Sequence, residues 1–454
     1  MQDREPPIER SRTVIDDHTL IRPRWIIPVE PAGVVLERHA VAVRDGRIDA
    51  LLEVRDAERL YPGAAVIDLA QHVLIPGLVN AHTHAAMTLM RGLADDLPLM
   101  RWLQEHIWPA ETRHVSPDFV RDGTLLACAE MLRGGVTCFN DMYFFPGAAL
   151  EAARASGMRA ALGIIVFDFP SAYAADPDDY LAKGLELRDR HKDDPLVSFC
   201  LAPHAPYTVS DASFRKVATI AGELDVPVHV HLHETADELE RSRAEHGVRP
   251  LERLHRLGLL GPSLISVHSV HVSREEIEML ARHGASVAHC PSSNLKLASG
   301  FAPIAAIARA GVNIALGTDG AASNNRLDLF QEMRQAALLA KAVAGDVEAM
   351  PAHAALRAAT LGGAQALGLA ERIGTIAPGK RADLTAVRIA GPELLPCYDP
   401  ASHLVYCAGR EHVSHVWVDG NPRVVAGILQ NVDISDLDTR VELWQNSVKT
   451  GAAS

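Results

Sequence analysis

Short apolar bursts broken by turn residues run from about Ser11 to Gln71 and read as strands. The clearest is His39 to Ile48, where Asp45-Gly46 marks a tight hairpin because glycine accepts the positive φ such turns demand. From Leu78 onward the pattern changes to apolar runs separated by segments of helical spacing, such as Leu125-Leu126-Ala129-Leu132. Another is Ile277-Leu280-Ala281, opened by Ser273 with Glu276 as a capping box. Eight such runs occur. The first ends in His82-Thr83-His84, the second is Gly135 to Asp141, the third lies in Arg159 to Val166, and the fourth is Val197 to His204. Pro227 to Glu234, Leu264 to His268, Ser286 to His289 and Asn313 to Asp319 complete the set. Strands alternating with helices predict an α/β fold, a (β/α)₈ TIM-like barrel. After about Leu369 short strands return, including His415 to Gly420. The expected division is 1–72 and 371–454 as the two parts of a small β-sandwich built from both termini, the latter with a tail, around a barrel at 73–370. No internal repeat is evident.

Polar residues gather at the ends of these runs: His82, His84, Asp141, His204, His231, His268, His289 and Asp319. Barrels of this kind place their chemistry there. His82 and His84 are two apart, so in an extended chain both imidazoles share a face and can meet one metal ion. They end the apolar run Val73 to Val79, the context expected of a buried strand delivering ligands at its carboxyl end. The fifth strand offers His229, His231 and His233 on one face, and alternation alone does not choose among them. Asp319 sits in Gly317-Thr318-Asp319-Gly320, whose small neighbours leave room for a substrate.

Composition narrows the classes. The chain has 454 residues, with Lys+Arg 44 against Asp+Glu 57 and a net charge of −13. No basic block tracks a phosphate backbone, which disfavours nucleic acid. The opening MQDREPPIERSR lacks an apolar core, so neither a signal peptide nor a membrane segment is expected and a cytoplasmic location follows. The six cysteines form no C-x-x-C pair and read as buried small hydrophobes. That also excludes the zinc deaminases that ligate through P-C-x-x-C, leaving His, Asp and Glu to hold any metal.

The runs P-G-L-V-N-A-H-T-H, H-L-H-E-T, V-H-S-V-H, H-C-P-S-S-N-L-K-L and G-T-D-G-A-A-S-N-N together resemble the amidohydrolase superfamily. More narrowly they are similar to its 5′-methylthioadenosine/S-adenosylhomocysteine deaminases, for which M-T-L-M-R-G-L-A-D-D-L-P-L followed by W-L and W-P-A-E is the narrowest marker. The resemblance implies that His82, His84, His231 and Asp319 bind the metal, one zinc ion per subunit, with iron or manganese as other possible occupants. No lysine stands in the fourth run to bridge a second metal. It further implies Glu234 as the proton carrier, three residues after His231, and His268 as the catalytic histidine of the sixth strand. His204 and Glu111 match substrate-contacting positions, Glu111 suiting the paired hydroxyls of a ribose. Trp102, Leu103 and Trp108 would wall the nucleoside, in a lid running from Met87 to Glu111.

The implied reaction is hydrolytic deamination of a 6-aminopurine nucleoside to the 6-oxopurine and ammonia. Relatives accepting S-adenosylhomocysteine can use arginines just after the third strand, and Gly163 to Tyr173 contains none. The expectation is therefore 5′-methylthioadenosine as preferred substrate, with adenosine or S-adenosylhomocysteine also accepted. The alternative is a same-fold deaminase or chlorohydrolase acting on guanine, cytosine or an s-triazine, against which Glu111 and its run argue. A metal-free scaffold or a metal store would have no use for Glu234 and His268 beside the ligands. A homo-oligomer is expected from the same resemblance.

Overall fold

Each apolar run from Leu78 onward becomes a parallel strand in the computed structural model, which describes residues 18–452. The readings of residues 1–17 lie outside the described residues. The strands are β1 Leu78–Thr83, β2 Val136–Asp141, β3 Arg159–Val166, β4 Val197–Pro203, β5 Val228–Leu232, β6 Leu264–His268, β7 Ser286–His289 and β8 Asn313–Leu316. They pair in chain order with helices in every connection, as a barrel requires. Both strand faces are covered, by barrel interior and by helices, which is why the runs read as continuous apolar segments and not as alternation. The helix Arg274–His283 opens on the Ser273–Glu276 capping box read from the sequence. β8 and β1 share no regular ladder; a bond from Asp319 N–H to the His82 carbonyl at 3.0 Å and the Asn80 side chain close that seam.

The second sheet is mixed and draws on both ends of the chain. Its hydrogen bonding runs through nine strands, with Ala65–Pro76 between Thr19–Ile26 on one side and Leu384–Arg388 on the other. Asp45 and Gly46 turn the hairpin between His39–Arg44 and Arg47–Glu53 with φ of 50° and 74°. Gly46 is required twice over, because a Cβ there would lie 2.7 Å from the Asp419 carbonyl oxygen in the carboxyl-terminal hairpin. The buried bidentate pair of Arg159 with Asp383, at 2.8 and 3.0 Å, fastens the small sheet to β3.

Two expectations change, on one strand and on the cysteines, and the tail gains a structure. The apolar run Val73 to Val79 is not one strand: residues through Pro76 pair in the small sheet, opposite Leu384, and the barrel begins at Leu78. Gly77 is the joint, since a Cβ there would meet the Thr137 side chain at 2.1 Å. The tail is a helix, Ile434–Ala452, docked on the barrel helix Pro117–Arg133 through Arg440 and Trp444, which bond Asp122 at 2.7 and 3.0 Å. Among the cysteines Cys128, Cys138, Cys200 and Cys290 are buried, whereas Cys397 is half-buried and Cys407 is exposed, on segments outside the barrel core. No helix among the described residues is long and apolar enough to cross a membrane.

Candidate metal centre and active site

The carboxyl ends of the barrel strands bring together residues far apart in sequence. One ligand atom each from His82, His84, His231 and Asp319 lies within 4.8 Å of the others. Atoms bound to one zinc at about 2.0–2.2 Å are at most about 4.4 Å apart, so the cluster needs only slight contraction to hold the ion. Asp319 Oδ1 stands 3.2 Å from Nε2 of both His82 and His84. The outer ring nitrogens are already engaged: His84 Nδ1 on the Met142 carbonyl at 2.6 Å and His231 Nδ1 on the His204 carbonyl at 2.8 Å. Such contacts fix the tautomer that turns Nε2 toward a metal.

Burial lowers the His82 imidazole to about 4 and drives His231 well below its ordinary value, so both rings present lone pairs. Burial works in the same direction on His84, but the Asp319 hydrogen bond and charge overcome it and raise that ring to about 9. Burial alone would raise Asp319; hydrogen bonds from His82 and His84 hold it well below the usual carboxylate range. A proton on His84 thus balances the Asp319 carboxylate, the charge a bound metal cation would supply.

Among the three fifth-strand histidines the backbone makes the choice. His229 lies one step deeper than His231 on the same face and bonds His82 Nδ1 at 2.8 Å. His233 falls beyond the strand at φ 59°, leaves the alternation, and accepts the Leu251 N–H at 3.1 Å. His268 ends β6 at φ 71° and Asp319 follows β8 at φ 60°, left-handed conformations that cost a non-glycine residue of order 1–3 kcal/mol. Strain of this size persists because the site holds both residues from several sides. The glycines beside Asp319 do not open space for a substrate: a Cβ on Gly317 would lie 2.8 Å from His82 Cβ, and one on Gly320 3.2 Å from His84 Cβ. They let the ligand-bearing strand ends close on each other.

A cavity of about 460 Å³ opens on the cluster. His84, His231, Asp319, Glu234 and His268 form its floor, and Trp102, Leu103, Trp108 and Glu111 its lid wall. Glu234 Oε2 lies 3.8 Å from His268 Nε2, and burial raises its carboxyl above the ordinary range. Glu111 accepts the Tyr143 hydroxyl at 2.8 Å and is raised by burial to about 7. His204 lines the cavity, its Nδ1 2.9 Å from Thr208 Oγ1, and burial lowers it to about 3. The lid widens at Leu103–Ile107, where Trp108 N–H bonds back to Leu103, one residue further than in an α-helix. Pro109, which has no N–H for the next turn, accounts for the irregularity.

Two strand-end residues stand apart from this group. Asp141 Oδ1 accepts the Ala85 N–H at 2.8 Å and holds the turn after His84, while His289 is buried away from the cavity. Several partners were not individually legible. Ser293 and Ser323 donate to Asp319 Oδ2 at 2.6 and 2.7 Å, and Asn294 Oδ1 meets His268 Nδ1 at 2.9 Å. Glu238 accepts the backbone N–H of both His233 and Glu234 at 2.9 Å. The only signal was that polar runs, P-S-S-N and A-A-S-N-N, follow barrel strands.

A parallel barrel that converges three imidazoles and a carboxylate beside an acid and a further histidine defines a metal-dependent hydrolase. The chain belongs to the amidohydrolase family, which it matches over residues 73–423. It is 46% identical over 435 residues to the 5-methylthioadenosine/S-adenosylhomocysteine deaminase of Saccharophagus degradans, covering 96% of this chain and 98% of that one. Among solved structures it is similar to a zinc-bound adenosine deaminase from Xanthomonas campestris, with TM-score 0.94 and 51% identity over 95% of this chain and 98% of that one. The zinc complex of atrazine chlorohydrolase from Arthrobacter aurescens is more distant, with TM-score 0.87 and 25% identity over 94% of this chain and 100% of that one.

Proposed function

We propose that this chain is a zinc-dependent aminohydrolase that converts a 6-aminopurine nucleoside to the 6-oxopurine nucleoside and ammonia. The observation that carries the reading is one cavity joining the ligand cluster and Glu234 to Glu111 behind a tryptophan-walled lid. The deaminase relatives support the substrate class. His82, His84, His231 and Asp319 would hold a single metal, zinc above iron or manganese. When bound, zinc lowers the pKa of its water to about 7 and so supplies hydroxide in neutral solution.

The side chains do the rest. Glu234, whose carboxyl burial raises above its ordinary range, gives its proton to N1 of the purine and makes C6 electrophilic. Asp319 would take the proton of the attacking water and return it to the 6-amino group, which leaves as ammonia when the C6–N bond breaks, and His268, held by Asn294, hydrogen-bonds the oxygen developing at C6. Glu111 accepts ribose hydroxyls on the oxygen that Tyr143 leaves free. His204 and Trp102 complete the contacts.

The substrate expected to be turned over best is 5′-methylthioadenosine. Beyond β3 the cavity is lined by Phe167, Phe169, Pro170 and Ala172, and among the described lining residues there is no arginine or lysine to pair with a carboxylate. Adenosine and S-adenosylhomocysteine are weaker alternatives. A cytoplasmic homo-oligomer, and the division of the chain near residues 72 and 370, belong to the same proposal. An ultraviolet assay of the zinc form against methylthioadenosine, adenosine, S-adenosylhomocysteine, guanine, cytosine and a triazine tests it. An adenine-to-hypoxanthine change with the highest kcat/KM for methylthioadenosine is expected; turnover of guanine, cytosine or the triazine alone would sink the reading.

A further inference from the structure

The helix Leu329–Ala344 contributes nothing to the cavity lining, yet its Glu332 grips the short helices Pro291–Lys296 and Ala321–Asn324 in the loops that follow β7 and β8. Glu332 is 1% exposed. Its Oε2 accepts the Ser292 backbone N–H at 3.0 Å, and its Oε1 accepts the Asn324 side-chain amide at 2.9 Å. The neighbour of Ser292 is Ser293, and the neighbour of Asn324 is Ser323. Those two serines donate to the same oxygen of Asp319, Oδ2, from the loops after β7 and β8.

We propose that Glu332 is a positioning residue, which holds the two loops in the register that delivers Ser293 and Ser323 to Asp319 Oδ2. With Oδ2 taken by two hydroxyls, the carboxylate cannot rotate, and Oδ1 alone faces His82 and His84. Both a ligand and a proton acceptor depend on that orientation, and a misplacement of about 1 Å can cost about 100-fold in rate. A carboxylate suits the task because each oxygen accepts, whereas a carboxamide at this position would turn N–H against N–H and release one loop. The inference rests on the role proposed for Asp319.

The test is a coupling experiment on full-length zinc enzyme with E332Q, the pair S293A/S323A, and the three combined. kcat, KM and the zinc dissociation constant, read by competition with a chelating dye, are measured for each. E332Q should lower kcat about 10–100-fold with KM within about twofold, and weaken zinc about 10-fold. In the S293A/S323A background both effects should shrink at least about fivefold, because the serines through which Glu332 acts are gone. Multiplying effects, or unchanged kcat and zinc affinity in E332Q, would overturn the proposal. Should E332Q fail to fold, N324A releases one loop only and should couple to S323A but not to S293A; equal coupling to both counts against it. Absence of nucleoside turnover in the wild-type zinc enzyme would refute the functional reading instead, while the coupling in zinc affinity would still decide the place of Glu332.

Discussion

Asn80 stitches Thr318 to the first barrel strand with both ends of its amide. Its oxygen accepts the Thr318 N–H at 3.0 Å and its nitrogen donates to Thr318 Oγ1 at 2.8 Å, across the seam where no ladder runs. Thr318 immediately precedes Asp319, so the bond that closes the barrel also sets the carboxylate. N80A leaves a buried N–H without its partner and should cost about 1–3 kcal/mol in chemical denaturation. An unchanged midpoint would show that the seam closes by packing alone.

Zinc and a proton compete for the cluster. Asp319 raises His84 to about 9, so below that pH the ring is protonated and must lose its proton to become a ligand. Apparent zinc affinity should therefore fall about tenfold for each pH unit below about 9, read by chelator competition between about pH 7 and 9. A flat profile contradicts the coupling. Chelation should abolish turnover, and zinc should restore it.

The acid step proposed for Glu234 predicts that E234Q loses about 10²–10⁴ in kcat with little change in KM or zinc content. Because burial raises this carboxyl, the protonated form persists above the ordinary glutamate range, and wild-type kcat should decline as pH rises through that elevated value. Near wild-type turnover by E234Q would remove Glu234 from the mechanism.

The Tyr143–Glu111 contact predicts discrimination at the sugar. Wild type should favour a ribonucleoside over its 2′-deoxy analogue in kcat/KM, and E111Q should reduce that preference. Y143F should raise KM about 2–10-fold, the scale of one hydrogen bond. Equal discrimination by E111Q and wild type would assign ribose recognition elsewhere.

How much was readable follows the range of each interaction. β3, β6 and β7 begin and end as the sequence predicts, because buried strands and their polar ends are written locally. His231 could not be separated from His233 by alternation, since the left-handed turn that removes His233 is enforced by distant partners such as Leu251 N–H. Ser293, Asn294 and Ser323 sit on the short helices Pro291–Lys296 and Ala321–Asn324, and no local pattern marks them until the barrel closes around them. The final helix was readable in principle: Leu437, Val441, Trp444 and Val448 follow the helical period.

The small sheet carries a consequence for synthesis. The strand Ala65–Pro76 has an early partner in Thr19–Ile26, but its other edge waits for Leu384–Arg388. At about 5–20 residues per second, the roughly 300 intervening residues take about 15–60 s to emerge from the ribosome. Through that interval the nascent chain holds an unpaired edge beside Leu74 and Ile75, open to other polypeptides. Truncations before Leu384 would make this exposure permanent.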